Sequence, residues 1–194
     1  MNMESIAFIL GNGKSRLEID SLYKLQSIGT TYGCNALYRN FAPDVLVSID
    51  LDITNEIKKS CYSQLHIHYY PNSDRYPILP KYATGCTGAA ATAIACMAEH
   101  KFICLIGMDF GNIDNTRSNN VYAGTPCYPI SEYDSVYSGN FIQQFLTVFK
   151  DFPSTHFTRI FGQQTTEVDK FNELTNLENM SMKEFLNLLN EKIL

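Results

Sequence analysis

The chain has 194 residues, of which 45% are hydrophobic and 18% charged, a balance typical of one globular domain long enough to bury a substantial core. Its formal net charge is −5 and it has no dense basic run, which argues against binding of duplex nucleic acid. The six cysteines form no Cys-x-x-Cys pair and no apolar run is long enough to span a bilayer, so we expect a cytoplasmic protein without a disulfide scaffold.

The first half of the chain predicts short strands that alternate with helical segments. Residues 5–10 are an apolar run typical of a buried strand, and a helix-like segment over 15–27 follows a Gly-Asn-Gly turn. The other elements predicted here are strands over 30–34, 45–50 and 66–70 and a helix over 52–61.

The second half continues the alternation. A helix of small residues over 89–100 precedes a strand over 102–109, and residues 111–138 are a long polar segment that we interpret as a lid. A helix over 140–150, a strand over 155–161 and a terminal helix over 181–194 capped by Ser181 complete the prediction. The pattern predicts one α/β domain over 1–194, with a mostly parallel sheet, helices on both faces and a helical appendage over 165–194.

Polar residues follow four of the predicted strands. They are Gly11-Asn12-Gly13, Asn35, Asp50 and Asp109. Because the carboxyl ends of parallel strands meet at one edge of a sheet, we expect these residues to converge there. Glycines after a buried strand can place backbone N–H groups against a phosphate, although they also form ordinary tight turns, and an Asp in this position is also a common helix cap.

Two further motifs could belong to the same edge. Thr84–Gly88 opens a helix with hydroxyl and N–H groups suited to a phosphate, a ribose or a base, or simply caps it. Asp50 and Asp52 form an Asp-x-Asp pair whose oxygens suit Mg²⁺, with a plain cap at Asp52 as the alternative. A P-loop is excluded because Phe8 stands where its first glycine is required.

Tyrosines are frequent in the predicted lid. A tyrosine hydroxyl can bind phosphate or exchange a proton, and the ring can stack on a sugar or pack against other aromatic residues of the lid. The tyrosines of the predicted lid considered for these roles are Tyr122, Tyr128, Tyr133 and Tyr137.

Several stretches resemble the motifs of a known family. Residues 10–20 are similar to the Gly-Asn-Gly-Pro-Ser-Leu-x-x-Ile-Asp opening of the bacterial lipooligosaccharide sialyltransferases, and residues 33–38 resemble their Arg-Cys-Asn-x-Phe segment. Residues 84–88 and 103–110 are similar to their Ser/Thr-Gly helix start and the Leu-x-Gly-Ile-Asp-Phe strand that follows. The same elements recur in related flagellin-modifying accessory proteins and archaeal pterin pyrophosphokinases.

The resemblance implies a Rossmann-like fold that binds a nucleotide donor such as a cytidine monophosphate sugar. Asn12 and Asn35 match the asparagines that hold the cytidine nucleotide, and Thr87 matches the hydroxyl of the helix start. Asp50 stands where the sialyltransferases have an asparagine, and in this respect the chain is closer to the accessory and pterin branches.

The resemblance also implies a catalytic lid, with one difference. The sialyltransferases carry a histidine base there, whereas this chain has none, so Glu132, Asp134 or a water molecule would take that role. Tyr122 and Tyr128 match the tyrosines that stabilise the leaving phosphate.

The resulting hypothesis is a sialyltransferase-like glycosyltransferase that uses a nucleotide sugar and an unidentified acceptor. It requires no cofactor and no metal ligand is assigned. The alternatives are an enzyme like a Mg-ATP pyrophosphokinase and a nucleotide-binding protein without catalysis. The terminal helix could serve a homo-oligomer or pack on the sheet. The predicted nucleotide-binding residues are Gly11, Asn12, Gly13, Ser15, Asn35, Asp50, Thr87, Gly88 and Asp109, and the predicted catalytic residues are Tyr122, Tyr128 and Asp134.

Overall fold

The computed structural model describes residues 6–111, 119–128 and 136–193. Within these ranges seven strands form one sheet in the order β4-β3-β2-β1-β5-β6-β7, and every strand pair is parallel. The strands are β1 (Ile6–Leu10), β2 (Thr30–Cys34), β3 (Val45–Val47), β4 (Ile67–Tyr69), β5 (Phe102–Ile106), β6 (His156–Phe161) and β7 (Leu177–Ser181).

Helices cover both faces of the sheet, as predicted. They are α1 (Tyr23–Gln26), α2 (Leu51–Lys59), α3 (Tyr62–Leu65), α4 (Thr87–Met97), α5 (Val136–Asp151) and α6 (Met182–Ile193), with 3₁₀ helices at Lys14–Glu18, Asn35–Arg39 and Asp169–Phe171. The core around β1 has two parts, one on each face of the sheet, and successive side chains of β1 point alternately into them. Ala7 and Ile9 belong to the apolar cluster that contains α4 and α5, whereas Phe8 and Leu10 belong to the cluster that contains α1 and α6.

The strand order reverses between β1 and β5, which are adjacent in the sheet although β2, β3 and β4 lie between them in the chain. This is the doubly wound, Rossmann-like arrangement, and it confirms the predicted fold class. In such sheets a crevice opens beyond the carboxyl ends of the strands where the order reverses.

The C-terminal segment differs from the helical appendage predicted over 165–194. It contributes β7, a sheet edge of largely exposed residues, before α6. Ser181 caps α6 as predicted, in a capping box: the Glu184 amide donates to the Ser181 hydroxyl at 3.2 Å, and the Ser181 amide donates to Glu184 Oε2 at 3.0 Å. α6 then packs Phe185 against Phe8. Across the described ranges, the structure contains no helix with the length and apolar character needed to cross a membrane.

Candidate functional site

A cavity of about 890 Å³ opens beyond the carboxyl ends of β1, β2 and β5, where the strand order reverses. Its size lies within the range of small-molecule pockets. It brings together eight of the nine residues that the sequence predicted to bind a nucleotide. They are Gly11, Asn12, Gly13, Asn35, Asp50, Thr87, Gly88 and Asp109.

The turn after β1 does not present its glycine amides to the cavity as a phosphate cradle would. The Gly11 amide donates to Ile106 O at 2.8 Å and the Gly13 amide donates to Gly107 O at 2.9 Å. A Cβ atom at Gly11 would collide with the Gly107 carbonyl oxygen. The two glycines therefore allow the turn to lie close against the segment that follows β5.

Ser15, the ninth predicted residue, is fully buried and does not line the cavity. Its hydroxyl makes a short hydrogen bond to Asp109 Oδ1 and its amide donates to Asp109 Oδ2 at 3.0 Å. Asp109 also accepts from Asn119 Nδ2 at 3.0 Å and from Thr165 Oγ1 at 3.1 Å. We call these four residues the Asp109 knot, because the carboxylate joins the turn after β1 to two segments distant in sequence.

Asn12 has a polar atom without a partner. Its side-chain oxygen is buried and accepts no hydrogen bond from any described residue, whereas its backbone oxygen accepts from the Val121 amide at 2.8 Å. A buried acceptor without a partner costs free energy, which a ligand donor or an ordered water would recover. This oxygen is therefore available for recognition.

Asn35, Thr87 and Asp50 form a hydrogen-bonded chain that lines the cavity. Thr87 Oγ1 donates to Asn35 Oδ1 at 3.2 Å, and Asn35 Nδ2 donates to Asp50 Oδ2 at 3.5 Å. Asn35 adopts a left-handed backbone conformation with φ of 52°, which asparagine tolerates better than most residues. Such a conformation is often found at functional positions.

Asp50 occupies the N-cap position of α2 but makes no side-chain hydrogen bond to the helix. Its side chain is accessible through the cavity, and desolvation by the surrounding protein raises its pKa, an effect partly offset by the hydrogen bond from Asn35. The simple capping role considered for this aspartate is therefore not observed.

The two predicted catalytic tyrosines that the structure describes lie in different environments. Tyr128 lines the cavity, and its buried hydroxyl has no hydrogen-bond partner among the described residues. Burial, with a smaller contribution from Asp50, raises the Tyr128 pKa, so the hydroxyl stays protonated and can donate to a ligand. Tyr122 instead packs in an apolar cluster with α2 and receives a hydrogen bond from Arg16 at 3.4 Å. Unlike the prediction, it does not line the cavity.

Residues 119–128, the described part of the predicted lid, are fastened to the body of the protein. Arg39 donates to Thr125 Oγ1 at 2.7 Å and to Pro126 O at 2.9 Å, and it forms a salt bridge with Glu56 at 2.7 Å. We call residues 119–128 the strap. Glu132, Tyr133 and Asp134 and the Tyr137 side chain lie outside the described residues, so the roles predicted for them stay predictions.

Two of the three cysteines that line the cavity are buried, and the sequence interpretation assigns them no role. Cys34 and Cys86 are buried, and burial raises the pKa of Cys86 to about 12, so this thiol is neutral. Each directly precedes a predicted site residue in the sequence, Asn35 or Thr87, which is the signal that could have identified them.

The cavity also contains the Asp-x-Asp pair. Asp50 and Asp52 both line it. Within the described ranges, no group of three or more histidine, cysteine or acidic side chains is placed to hold a metal ion.

Comparisons with known proteins give a distant structural neighbour. No protein-family model matches the chain, and no curated protein matches it. The Bordetella bronchiseptica enzyme WbmG, solved in complex with NAD and UDP, is 13% identical, with a TM-score of 0.31 over 96% of this chain and 67% of that chain. So distant a likeness carries no conclusion about ligand or reaction, and the fold assignment stands on the sheet topology.

Proposed function

We propose that the cavity binds a nucleotide and that the protein transfers a sugar from a nucleotide-sugar donor to an acceptor. The observation that carries the proposal is the convergence of Asn12, the Asn35–Thr87 pair and the start of α4 on one cavity at the reversal of the strand order. This is where open α/β sheets bind their ligands.

The chemistry of the cavity wall supports a nucleotide. α4 extends over Thr87–Met97, and its first residues, Thr87 and Gly88, line the cavity. The positive end of the helix dipole favours a phosphate there, while amide and hydroxyl groups suit a ribose or a base. The protonated Tyr128 hydroxyl adds a donor suited to a phosphate oxygen.

Glycosyl transfer would use these groups as follows. The bond between the anomeric carbon and the phosphate oxygen breaks, an acceptor oxygen bonds to that carbon, and the acceptor proton passes to a base. Negative charge develops on the departing phosphate, and a prepositioned donor such as the Tyr128 hydroxyl stabilises it. Glu132 and Asp134, or a water molecule, stay the hypotheses for the base.

Thermal unfolding with CMP, UDP, ADP and ATP, each with and without Mg²⁺, tests nucleotide binding. A ligand at about 100 times its Kd adds about 2.7 kcal/mol of stability, which raises the Tm of a domain of this size by roughly 5–10 °C. We expect CMP to stabilise the protein without metal. A response only to ATP with Mg²⁺ would support the pyrophosphokinase alternative, and no response to any nucleotide would refute the proposal.

Asn12→Ala locates the binding site. The Asn12 side-chain oxygen has no partner among the described residues, so its removal should not lower the Tm of the free protein. The Tm increase with CMP should fall by at least half. Asn187→Ala, on the exposed face of α6, is the matched control and should keep the full increase. An Asn12→Ala variant that responds like the control would show that the site lies elsewhere.

Donor hydrolysis tests catalysis. Many transferases slowly transfer their sugar to water, so we expect release of CMP from a CMP sugar above the rate in buffer. Tyr128→Phe should lower this rate at least tenfold while CMP still binds, because it removes a donor without breaking a described hydrogen bond. Binding without hydrolysis of any donor would instead support a nucleotide-binding protein that lacks catalysis.

A further inference from the structure

We infer that Asp50 selects a ligand group that carries two adjacent hydrogen-bond donors and receives both on its carboxylate. Two parts of a nucleotide offer this chemistry: the vicinal hydroxyls of a ribose, and the N–H and amino group at the edge of a guanine-type base. The inference rests on the proposed nucleotide binding and adds a specificity to it.

Asn35 is oriented so that it uses only one accepting position of Asp50. Because a carboxylate can only accept, the Asn35 nitrogen is the end that faces Asp50, and the Asn35 side-chain oxygen then accepts the proton of the Thr87 hydroxyl. Its contact with Asp50 Oδ2 is long, at 3.5 Å. A carboxylate offers about four lone-pair positions, so this single contact leaves most of the accepting capacity of Asp50 unused.

The other groups around Asp50 leave its carboxylate without a strong partner among the described residues. The carboxylate makes no capping bond to α2, and within the described ranges no lysine, arginine or histidine forms a salt bridge with it. It nevertheless lines the cavity beside Asn35. Asp50 is exposed to water, so its free accepting positions can be taken by donors of a ligand that displaces that water.

The same cavity contains two further hydrogen-bond acceptors. The proton of the Thr87 hydroxyl is used by Asn35, so the Thr87 oxygen is left as an acceptor. The buried Asn12 side-chain oxygen is a further acceptor without a partner among the described residues. The side-chain oxygens of Asp50, Thr87 and Asn12 therefore complement a donor-rich part of the ligand, whereas the phosphate would be bound by the backbone N–H groups at the start of α4.

An asparagine at position 50 would not serve the same purpose. Its side chain has one acceptor oxygen and one donor nitrogen, so it can pair with only one of two adjacent donors and repels the other. Asp50→Asn keeps the shape of the residue but replaces one acceptor oxygen by a donor and removes the negative charge. The substitution therefore distinguishes two roles of Asp50: a carboxylate that accepts two ligand donors, which asparagine cannot replace, and a polar residue that only fills space, which asparagine can.

Calorimetric titration of the wild-type protein with two matched pairs of nucleotides tests the inference. CMP and 2′-deoxy-CMP differ in one of the vicinal hydroxyls, and GMP and IMP differ in the amino group beside the ring N–H. We expect at least a tenfold loss of affinity within one pair: the first pair identifies the ribose and the second the base. Equal affinities within both pairs would overturn the inference while leaving nucleotide binding intact.

The variant provides the second part of the test. Asp50→Asn should weaken the preferred nucleotide at least tenfold and should abolish the discrimination within the responsive pair, whereas Asp20→Asn, at an exposed position, should change neither. Discrimination that persists in Asp50→Asn would assign it to another residue and overturn the inference. If no nucleotide binds the wild-type protein, the proposed function itself fails.

Discussion

Asp109→Asn should strongly destabilise the protein. The Asp109 carboxylate accepts four hydrogen bonds: two from Ser15, one from Asn119 and one from Thr165. Each carboxylate oxygen accepts two of them. The substitution preserves size and shape but turns one oxygen into an amino group that donates. If the new nitrogen faces the Ser15 amide and Asn119 Nδ2, two fixed donors face a donor. If it faces the Ser15 and Thr165 hydroxyls, these must turn to accept, and their own protons lose the carboxylate acceptor.

The expected loss follows from these four bonds. Hydrogen bonds to a charged group contribute about 1.5–3 kcal/mol each, and a buried donor without a partner costs about 1–3 kcal/mol. Asp109 is only 3% exposed, so water cannot readily replace the lost acceptor. Allowing for relaxation, and because Asn119 Nδ2 also donates to Gln164 O at 3.2 Å, we expect a loss of about 3–5 kcal/mol.

Urea unfolding measures this loss, and Asp20→Asn at an exposed position is the control, with an expected change of at most about 0.5 kcal/mol. Ser15→Ala combined with Asp109→Asn should cost less than the sum of the single substitutions, because both disrupt the bond between the Ser15 hydroxyl and Asp109. An Asp109→Asn protein as stable as the control but unable to bind nucleotide would refute the knot. It would restore the direct ligand role that the sequence suggested for Asp109.

Three further predictions concern the rest of the structure. Burial lowers the pKa of His68 to about 4, so the stability that the neutral imidazole provides is present above the ordinary pKa of about 6.5 and is lost as the pH falls towards 4. Urea titrations should show the free energy of unfolding fall by about 3 kcal/mol through this group between about pH 7 and pH 4.5, and His68→Gln should remove that part of the pH dependence. Arg39→Gln should cost about 1 kcal/mol, because its salt bridge is partly exposed, and should speed hydrogen exchange around Thr125 in the strap. Gly11→Ala should cost at least about 2 kcal/mol in thermal unfolding, because its Cβ atom meets the Gly107 carbonyl oxygen, which belongs to the backbone.

Much of the fold could be predicted because its central elements carry strong local signals. β1 and β5 are continuous apolar runs, and α4 consists of small residues buried against the sheet. β7 could not be predicted in this way, because it is an edge strand in which buried and exposed residues do not alternate. Its pairing with β6 provides the reason for its conformation, and that pairing is a tertiary contact.

The site could be predicted to the extent that topology alone places residues. Parallel strands bring their carboxyl ends together, so Asn12, Asn35 and Asp109 were expected at one edge and lie there. What each side chain does depends on distant partners. The Asp109 knot joins Ser15 to Asp109, 94 residues apart in the chain. Tyr122 packs in an apolar cluster and accepts a hydrogen bond from Arg16, which is 106 residues away in the chain. No local pattern carries such information.

Nuclear magnetic resonance titration with CMP tests whether the cavity binds a nucleotide, because the side-chain amide groups of asparagine give resolvable signals. We expect the signals of Asn12 and Asn35 to shift on addition of CMP and to saturate together, while that of Asn187 on α6 does not move. Saturable binding that leaves Asn12 and Asn35 unchanged, or the absence of any shift, would contradict nucleotide binding in this cavity.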